Sequence, residues 1–171
     1  LVTINLEDNI SSINSGAFLD SRKLESINVS NYNLIYSSND GVLFNKDQTV
    51  LLQYPMNKSG TFYKIPETVV IIEEKAFRGC LNLTQITIPE SVTNIEHSAF
   101  YNSKLESITI PKSVNIIQIR AFESCQNLKE IIVDKGNSYF NSIDGVLLDD
   151  EFESIICYPS GKEDLEYTVP S

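Results

Sequence analysis

Three cysteines and one histidine are the side chains of this sequence best suited to metal binding or nucleophilic catalysis. Cys80 and Cys125 occupy the same place in an internal repeat, two units apart, whereas Cys157 lies in a different kind of segment. Stacked units at about 4.8 Å would place the Cα atoms of Cys80 and Cys125 about 10 Å apart, beyond the roughly 7 Å limit of a disulfide. We therefore expect buried free thiols at these positions.

His97 is expected on the surface of a connector, where it has no partner for catalysis. A Ser-His-Asp or Cys-His arrangement would need this one histidine beside a nucleophile and an orienting group, and no motif supplies them. Three cysteines without a neighbouring histidine do not make a zinc site. Glycine-rich phosphate loops are also missing. The sequence therefore predicts no catalytic residue, no cofactor and no metal, and a protein that is not an enzyme.

The charge balance narrows the possible partners. The formal net charge is -10, and no cluster of Lys and Arg offsets it. Binding of nucleic acid or of an anionic membrane surface requires basic side chains against phosphate, so both are poor partners. No apolar run is long enough to span a bilayer, so we expect no membrane insertion within this chain.

The elements that position these residues are set by repetition. The dipeptide Ala-Phe recurs at 17–18, 76–77, 99–100 and 121–122, and each copy leads after five or six residues into a Leu-x-x-Ile-x-Ile/Val segment. The isoleucines, two apart, share one face of a strand, and the Ala-Phe pair must enter the same core from the opposite side. One unit cannot bury these side chains alone, so units must stack into a solenoid. We predict an α/β repeat solenoid with a parallel sheet on its concave face and short helical or 3₁₀ connectors on its convex face.

A second, longer repeat divides the chain into related parts. An ungapped shift of 104 residues aligns 1–67 with 105–171, and 19 of these 67 pairs are identical, which indicates an internal duplication. Asp-Gly-Val-Leu followed by Tyr-Pro occurs in both parts and predicts two β-hairpin insertions, at about 33–60 and 137–164. Strands at about 42–44 and 50–54, and at 146–148 and 154–158, would extend from the solenoid. A calcium loop at Asp40 or Asp144 lacks the further oxygen ligands that it would need.

The repeat unit resembles the BspA-type leucine-rich repeat. Residues 65–89 carry the pattern almost in full, as Ile-Pro-x-x-Val-x-x-Ile-x-x-x-Ala-Phe-x-x-Cys-x-x-Leu-x-x-Ile-x-Ile-Pro, and the insertion is similar to one seen in that family. The first repeat departs from the pattern, with Ser21 in place of cysteine and no proline after Leu6. The resemblance implies a right-handed leucine-rich-repeat coil from a cell-surface or secreted protein, similar to adhesins that bind host or matrix proteins.

Strand alternation predicts which side chains could bind a partner. Residues flanking the inward isoleucines would face solvent on the concave side of the sheet. The candidates are Thr3, Asn5, Ser26, Asn28, Gln85, Thr87, Ser107, Thr109, Glu130 and Ile132. We expect no aromatic anchor among them. Aromatic candidates cluster in the insertions instead, and several must pack there: Tyr32, Tyr36, Phe44, Tyr139, Phe140 and Phe152.

Two functions remain open on the sequence. The chain is expected to be a monomeric interaction or adhesion module that binds a host or matrix protein, or a glycan. The alternative is a structural spacer that presents another domain of a longer surface protein. The chain reads as one solenoid over 1–171, and both of its ends fall inside a repeat without a polar cap. We therefore expect a fragment of a longer protein whose secretion signal or anchor lies outside it.

Overall fold

The computed structural model describes residues 2–168. Leu1 and residues 169–171, which belong to the first and the last pairs of the predicted duplication, lie outside the described part. In chain order its strands are β1 (Thr3–Leu6), β2 (Ser26–Val29), β3 (Tyr36–Asn39), β4 (Val42–Asn45), β5 (Val50–Gln53), β6 (Phe62–Lys64), β7 (Ile71–Ile72), β8 (Gln85–Thr87), β9 (Asn94–Ile95), β10 (Ser107–Ile110), β11 (Ile116–Ile117), β12 (Glu130–Val133), β13 (Phe140–Ile143), β14 (Val146–Asp149) and β15 (Ile155–Cys157). Within 2–168 no helix forms, and so none that could cross a bilayer.

One strand of each coil lies on the same side of the solenoid, and we call these the front strands: β1, β2, β6, β8, β10 and β12. They pair in parallel and in register, β1 with β2, β6 with β8, and β10 with β12. The Glu106 N–H donates to the Thr84 carbonyl (3.0 Å), which places β10 beside β8. Inward isoleucines face each other across the pairs, as Ile108 faces Ile131. The predicted solenoid of parallel strands is confirmed.

The Ala-Phe pairs line the opposite side of the core. Phe77, Phe100 and Phe122 are buried and stack ring on ring, with centroids 5.0 and 5.6 Å apart and planes within 13° of parallel. Tyr54 of the first Tyr-Pro segment continues this column, 5.2 Å from Phe77. The prediction that the repeated phenylalanine enters the core is therefore confirmed for these three copies, whereas Phe18 of the first copy is half-buried against the smaller core. A tyrosine takes the place of the phenylalanine in the coil that carries the first insertion.

The connectors on the back of the solenoid are not helical, so that part of the prediction is wrong. The two-residue strands β7, β9 and β11 pair in parallel with one another, and β7 also pairs with β5. After each of them, the residue before Ala-Phe is left-handed, with φ of 62° at Lys75 and at Arg120. A left-handed residue ends a right-handed helix. The connectors therefore consist of single turns and of backbone hydrogen bonds to the next coil, rather than of the predicted helices.

Each insertion is a three-stranded antiparallel meander, β3-β4-β5 and β13-β14-β15. The two strands predicted from each motif are confirmed, and β3 and β13 are additional. Positive φ at both residues of Asp40-Gly41 (49° and 73°) and of Asp144-Gly145 (50° and 76°) identifies type I′ hairpin turns. Glycine adopts positive φ without steric cost.

The insertions do not extend from the solenoid, contrary to the prediction. Strand β4 runs through the interior, and Val42, Leu43 and Phe44 are all at most 1% exposed. Val42 and Phe44 belong to the large core cluster, which reaches as far as Leu147, whereas Leu43 belongs to a smaller cluster with Leu24 and Ile27. A continuous apolar run buries both faces of a strand. The first hairpin is therefore a wall between two cores.

The turn of each hairpin ends on a front strand. The Ile27 N–H donates to the Gly41 carbonyl (2.9 Å), and the Ile131 N–H donates to the Gly145 carbonyl (2.8 Å). The turn at Gly41 therefore occupies the edge of β2 where the next front strand would otherwise pair. Since β2 and β6 do not pair within the described chain, the front strands form two groups rather than one continuous sheet.

Candidate functional site

Eight side chains on β6, β8, β10 and β12 form the surface that we call the front patch. Phe62 lies beside Gln85, and Ser107 lies beside Glu130, in one row across the strands. Lys64 lies beside Thr87, and Thr109 beside Ile132, in a second row. The patch brings together six of the predicted candidates: Gln85, Thr87, Ser107, Thr109, Glu130 and Ile132.

The other four candidates form a separate polar group. Thr3 lies beside Ser26, and Asn5 beside Asn28, on β1 and β2. The Asn28 Nδ2 donates to Asn5 Oδ1 (3.1 Å), and the Ser26 hydroxyl donates to Asn28 Oδ1 (2.9 Å). Ser26 is half-buried, because the turn at Gly41 packs against it. Asn5, Ser26 and Asn28 hydrogen-bond to one another, so they offer fewer free hydrogen-bonding groups than the front patch does.

Phe62 corrects the expectation that this face carries no aromatic anchor. Its side chain is 56% exposed at one corner of the patch, and Ile132 is 42% exposed at the other end. The segment before Ile65 lacks the Leu-x-x-Ile pattern, so its strand was not among the candidates. A signal was nevertheless present, because Ile65-Pro66 matches Ile88-Pro89 and places Phe62 opposite Gln85.

The front patch is nearly neutral and lies on regular backbone. Lys64 pairs with Glu67 (Nζ to Oε1, 3.2 Å), and Glu130 is the one other charged member of the patch. Amide and hydroxyl groups between two apolar side chains can bind a polar partner around an apolar contact. Aromatic side chains supply much of the free energy at such contacts. The patch has the composition of a binding surface.

The cysteines are positioned as core side chains. Cys80 and Cys125 are buried, and Ser103 lies in the same column between them. The Cys125 thiol donates to the Phe100 carbonyl (3.0 Å). Burial raises the pKa of the Cys80 and Cys125 thiols above the ordinary range, and it raises the pKa of half-buried Cys157 to about 11. Protonated thiols are poor nucleophiles, so none of the three is activated.

His97 lies on the back of the solenoid and is half-buried rather than fully solvated. Its carbonyl accepts a hydrogen bond from the Lys75 N–H (3.1 Å), which binds this segment to the coil before it. A shallow depression there also includes Arg78, whose guanidinium lies over the Tyr101 ring at 5.2 Å. Lys75, Arg120 and Glu123 line the same depression, and no thiol lies among its lining residues.

The aromatic side chains of the insertions divide into two sets. Phe44 and Phe140 are buried, and Tyr36 is half-buried with its hydroxyl accepting from the Ile13 N–H (3.0 Å). Tyr32 and Tyr139 are 80% and 53% exposed. Phe152 is 37% exposed, at the turn between β14 and β15. The first set packs inside the insertions, and the second set is exposed to solvent outside the front patch.

Two asparagines that sequence reasoning missed hold the insertions in place. The Asn33 Nδ2 donates to the carbonyls of Glu7 and Ile10, and its Oδ1 accepts from the N–H groups of Ile35 and Tyr36, all at 2.8–2.9 Å. Asn137 makes the corresponding four bonds at 2.8–3.0 Å. The sequence did offer one signal for their role, because Asn33 aligns with Asn137 when the chain is shifted by 104 residues.

Comparisons with solved structures agree with this geometry. A leucine-rich repeat protein from Eubacterium ventriosum is 36% identical to the chain, with a TM-score of 0.74, over 77% of this chain and 36% of that one. A leucine rich cell surface protein from Faecalibacterium prausnitzii is 24% identical, with a TM-score of 0.66, over 100% and 49%. The pneumococcal vaccine antigen PcpA is 23% identical, with a TM-score of 0.66, over 81% and 40%. The last two show the fold alone.

The chain spans between a third and a half of the length of these three structures. No curated protein matches it. The BspA type leucine rich repeat region matches in six copies, over residues 1–46 and 54–144. Six matched copies, the coil geometry and the stacked Ala-Phe column agree, and the chain belongs to the BspA-type leucine-rich repeat family.

Proposed function

We propose that this chain is the interaction module of a cell-surface or secreted protein, and that it binds a host or matrix protein, or a glycan, through the front patch. The observation that carries the proposal is the composition of the patch, with Phe62 exposed at one corner among polar side chains of four neighbouring strands. Residues on regular strands are held more rigidly than loop residues, so less conformational freedom is lost on binding.

The surface location rests on the family. The Faecalibacterium prausnitzii relative is described as a cell surface protein, and proteins of this repeat type are typically extracellular. The net charge of -10 argues against a polyanionic partner, so a protein or a glycan without dense negative charge fits better. Lys64 pairs with Glu67, so the patch does not carry a large excess of positive or negative charge.

A binding screen with matched variants tests the proposal. The purified chain is applied to arrays of matrix proteins, host-cell surface proteins and glycans, together with the Phe62→Ala and Thr109→Arg variants. Both positions are exposed, so both variants should fold. We expect at least one ligand whose affinity falls about tenfold or more with each variant, as for anchor residues of other interfaces.

Ser138→Arg is the matched control, because Ser138 is exposed in the second insertion and the change adds the same charge outside the eight residues of the patch. The control should keep wild-type affinity. Ligands that bind all of these chains equally would rule out the front patch. A chain that binds nothing on any array would favour the alternative role as a structural spacer, for which the continuous aromatic column from Tyr54 to Phe122 would supply stiffness.

A further inference from the structure

Backbone N–H groups around each buried phenylalanine normally bind the next coil. The N–H groups of Lys75, Phe77 and Gly79 donate to the carbonyls of residues 97, 99 and 101, at 3.1, 2.7 and 2.9 Å. Ser98, Phe100 and Asn102 repeat the pattern one coil later, at 3.3, 2.8 and 2.9 Å to the carbonyls of 119, 121 and 123. Alternate residues thus present a row of donors, as the edge of a strand does.

Two other coils carry the same row without partners. Gly16, Phe18 and Asp20 occupy the corresponding positions in the first coil, and Arg120, Phe122 and Ser124 occupy them in the coil of the last Ala-Phe pair. Within residues 2–168, none of these six N–H groups donates to a backbone carbonyl. Both rows directly precede an insertion in the chain.

The insertions explain the missing partners. A hairpin follows each of these coils where the next Ala-Phe segment would otherwise pack, and its last strand lies across a gap from the row of donors. We call these gaps the first seam, between residues 13–18 and Leu52-Gln53, and the second seam, between residues 117–124 and 156–158. The first seam encloses about 180 Å³ and the second about 510 Å³.

The first seam stays open although a further coil follows its hairpin. The first seam is bordered by Glu73 and Glu74 of the coil that comes after its hairpin, and Gly16 and Phe18 still lack carbonyl partners there. The unpaired donors therefore follow from the hairpin itself. The coil that follows the hairpin does not supply carbonyls for these N–H groups.

The second seam combines donors with an apolar rim. Ile119 is 71% exposed beside the donor row, and Ile156 is 39% exposed on the opposite wall, with buried Phe122 at the base. Arg120 pairs with Glu123 (Nε to Oε2, 3.2 Å), so these two charges at the rim offset each other. Extended peptides bind to unpaired strand edges through main-chain hydrogen bonds, and side-chain pockets give specificity.

We infer that the second seam is a docking groove for an extended peptide segment that carries an apolar side chain and little charge. The peptide's carbonyls accept from the N–H groups of Arg120, Phe122 and Ser124, as the carbonyls of 119, 121 and 123 do in the preceding coil. Its apolar side chain packs between Ile119 and Ile156. This groove lies on a different surface from the front patch, and the inference does not depend on the proposed function.

Amide NMR with a peptide from the chain itself tests the inference. The probe is the acetylated and amidated peptide of residues 95–103, because this segment supplies the carbonyls that Lys75, Phe77 and Gly79 use. In the free protein, we expect the amides of Arg120, Phe122 and Ser124 to exchange at least about tenfold faster than those of Ser98, Phe100 and Asn102. The peptide should shift these three amides saturably and slow their exchange.

Ile119→Asp should weaken peptide binding at least about tenfold, since it places a charge on the apolar rim. Leu34→Asp is the matched control at a 79% exposed leucine of the first insertion, and it should bind as the wild type does. A scrambled peptide should not bind. Slow exchange of the three amides without peptide would overturn the inference. So would the lack of saturable shifts at millimolar peptide, or shifts confined to the front strands.

Discussion

Asn33 and Asn137 show how single side chains fix the position of whole insertions. Each amide group uses both of its N–H bonds and accepts two more, so it joins the coil before the insertion to the first turn of the insertion. The sequence contains both residues at equivalent positions, yet composition alone does not distinguish them from the exposed asparagines around them. Their role depends on carbonyls more than 20 residues away, which no local pattern specifies.

Replacement of Asn33 by alanine tests this role. The change removes four hydrogen bonds around a fully buried side chain. The Glu7 carbonyl still accepts from the Ile10 N–H, but the Ile10 carbonyl and two N–H groups lose the partner that Asn33 supplies. We therefore expect a loss of about 2–4 kcal/mol in the free energy of unfolding. Urea denaturation measures it. Asn31→Ala, at an exposed asparagine two residues earlier, should change stability by less than about 0.5 kcal/mol. Equal effects of the two changes would contradict the role of Asn33.

Gly41 is required both for its backbone conformation and for its close contact with the front strand. Its φ is 73°, and an added Cβ would lie 2.6 Å from the Ser26 hydroxyl oxygen. Gly60 has a φ of 97° but open space around it, so Gly60→Ala isolates the conformational effect. We expect Gly41→Ala to lower thermal stability more than Gly60→Ala does, by about 1 kcal/mol or more. Calorimetry measures the loss of stability in each variant. Equal losses would contradict a role for the contact between Gly41 and Ser26.

Buried Cys80 and Tyr54 make stability depend on alkaline pH. Burial raises the pKa of both side chains, so both stay protonated in the folded chain, whereas the unfolded chain ionises them from about pH 8.5 and 10. The unfolded state then binds fewer protons, and stability falls as the pH rises through that range. Cys80→Ala should make the decline between about pH 8.5 and 10 shallower. Parallel curves for the variant and the wild type would show that Cys80 does not contribute.

At the scale of elements, the hairpin walls were predicted as strands but placed wrongly. The Asp-Gly turn and the run Val42-Leu43-Phe44 specify a hairpin by local rules, because turn chemistry and β propensity are local. Whether a hairpin projects or is enclosed depends on what packs on each face. The run without polar alternation was the available indication of burial on both faces. The prediction of helical connectors was wrong for a related reason. Lys75 and Ser98 have positive φ, and neither residue type indicates this conformation in the sequence.

Truncation of Leu43 tests whether the first hairpin is a wall. Leu43 is 1% exposed and packs with Leu24 and Ile27 in the smaller core. Leu43→Ala should cost about 2–4 kcal/mol and should increase hydrogen exchange most in residues 3–29. Leu34→Ala, at an exposed leucine of the same insertion, should have little effect. An exchange increase confined to residues 65–131 would show that Leu43 faces the larger core instead.

At the scale of the whole molecule, repetition made the fold predictable and left the partner open. The period of the Ala-Phe and Leu-x-x-Ile segments requires stacked coils, because no single unit can bury them. The front patch followed from strand alternation for Gln85 to Ile132. Phe62 was missed because its strand departs from the repeat. A binding surface also depends on a second molecule, and no spacing within one chain describes that molecule.

Hydroxyl-radical footprinting of the complex with a ligand from the arrays shows which surface of the chain the ligand covers. Phe62 and Ile132 of the front patch are exposed and oxidisable, as are Tyr32 and Tyr139 of the insertions. We expect the ligand to lower the oxidation of Phe62 and Ile132 several-fold, while the two tyrosines react as they do in the free chain. Protection of Tyr32 or Tyr139 with unchanged oxidation of Phe62 and Ile132 would contradict binding at the front patch.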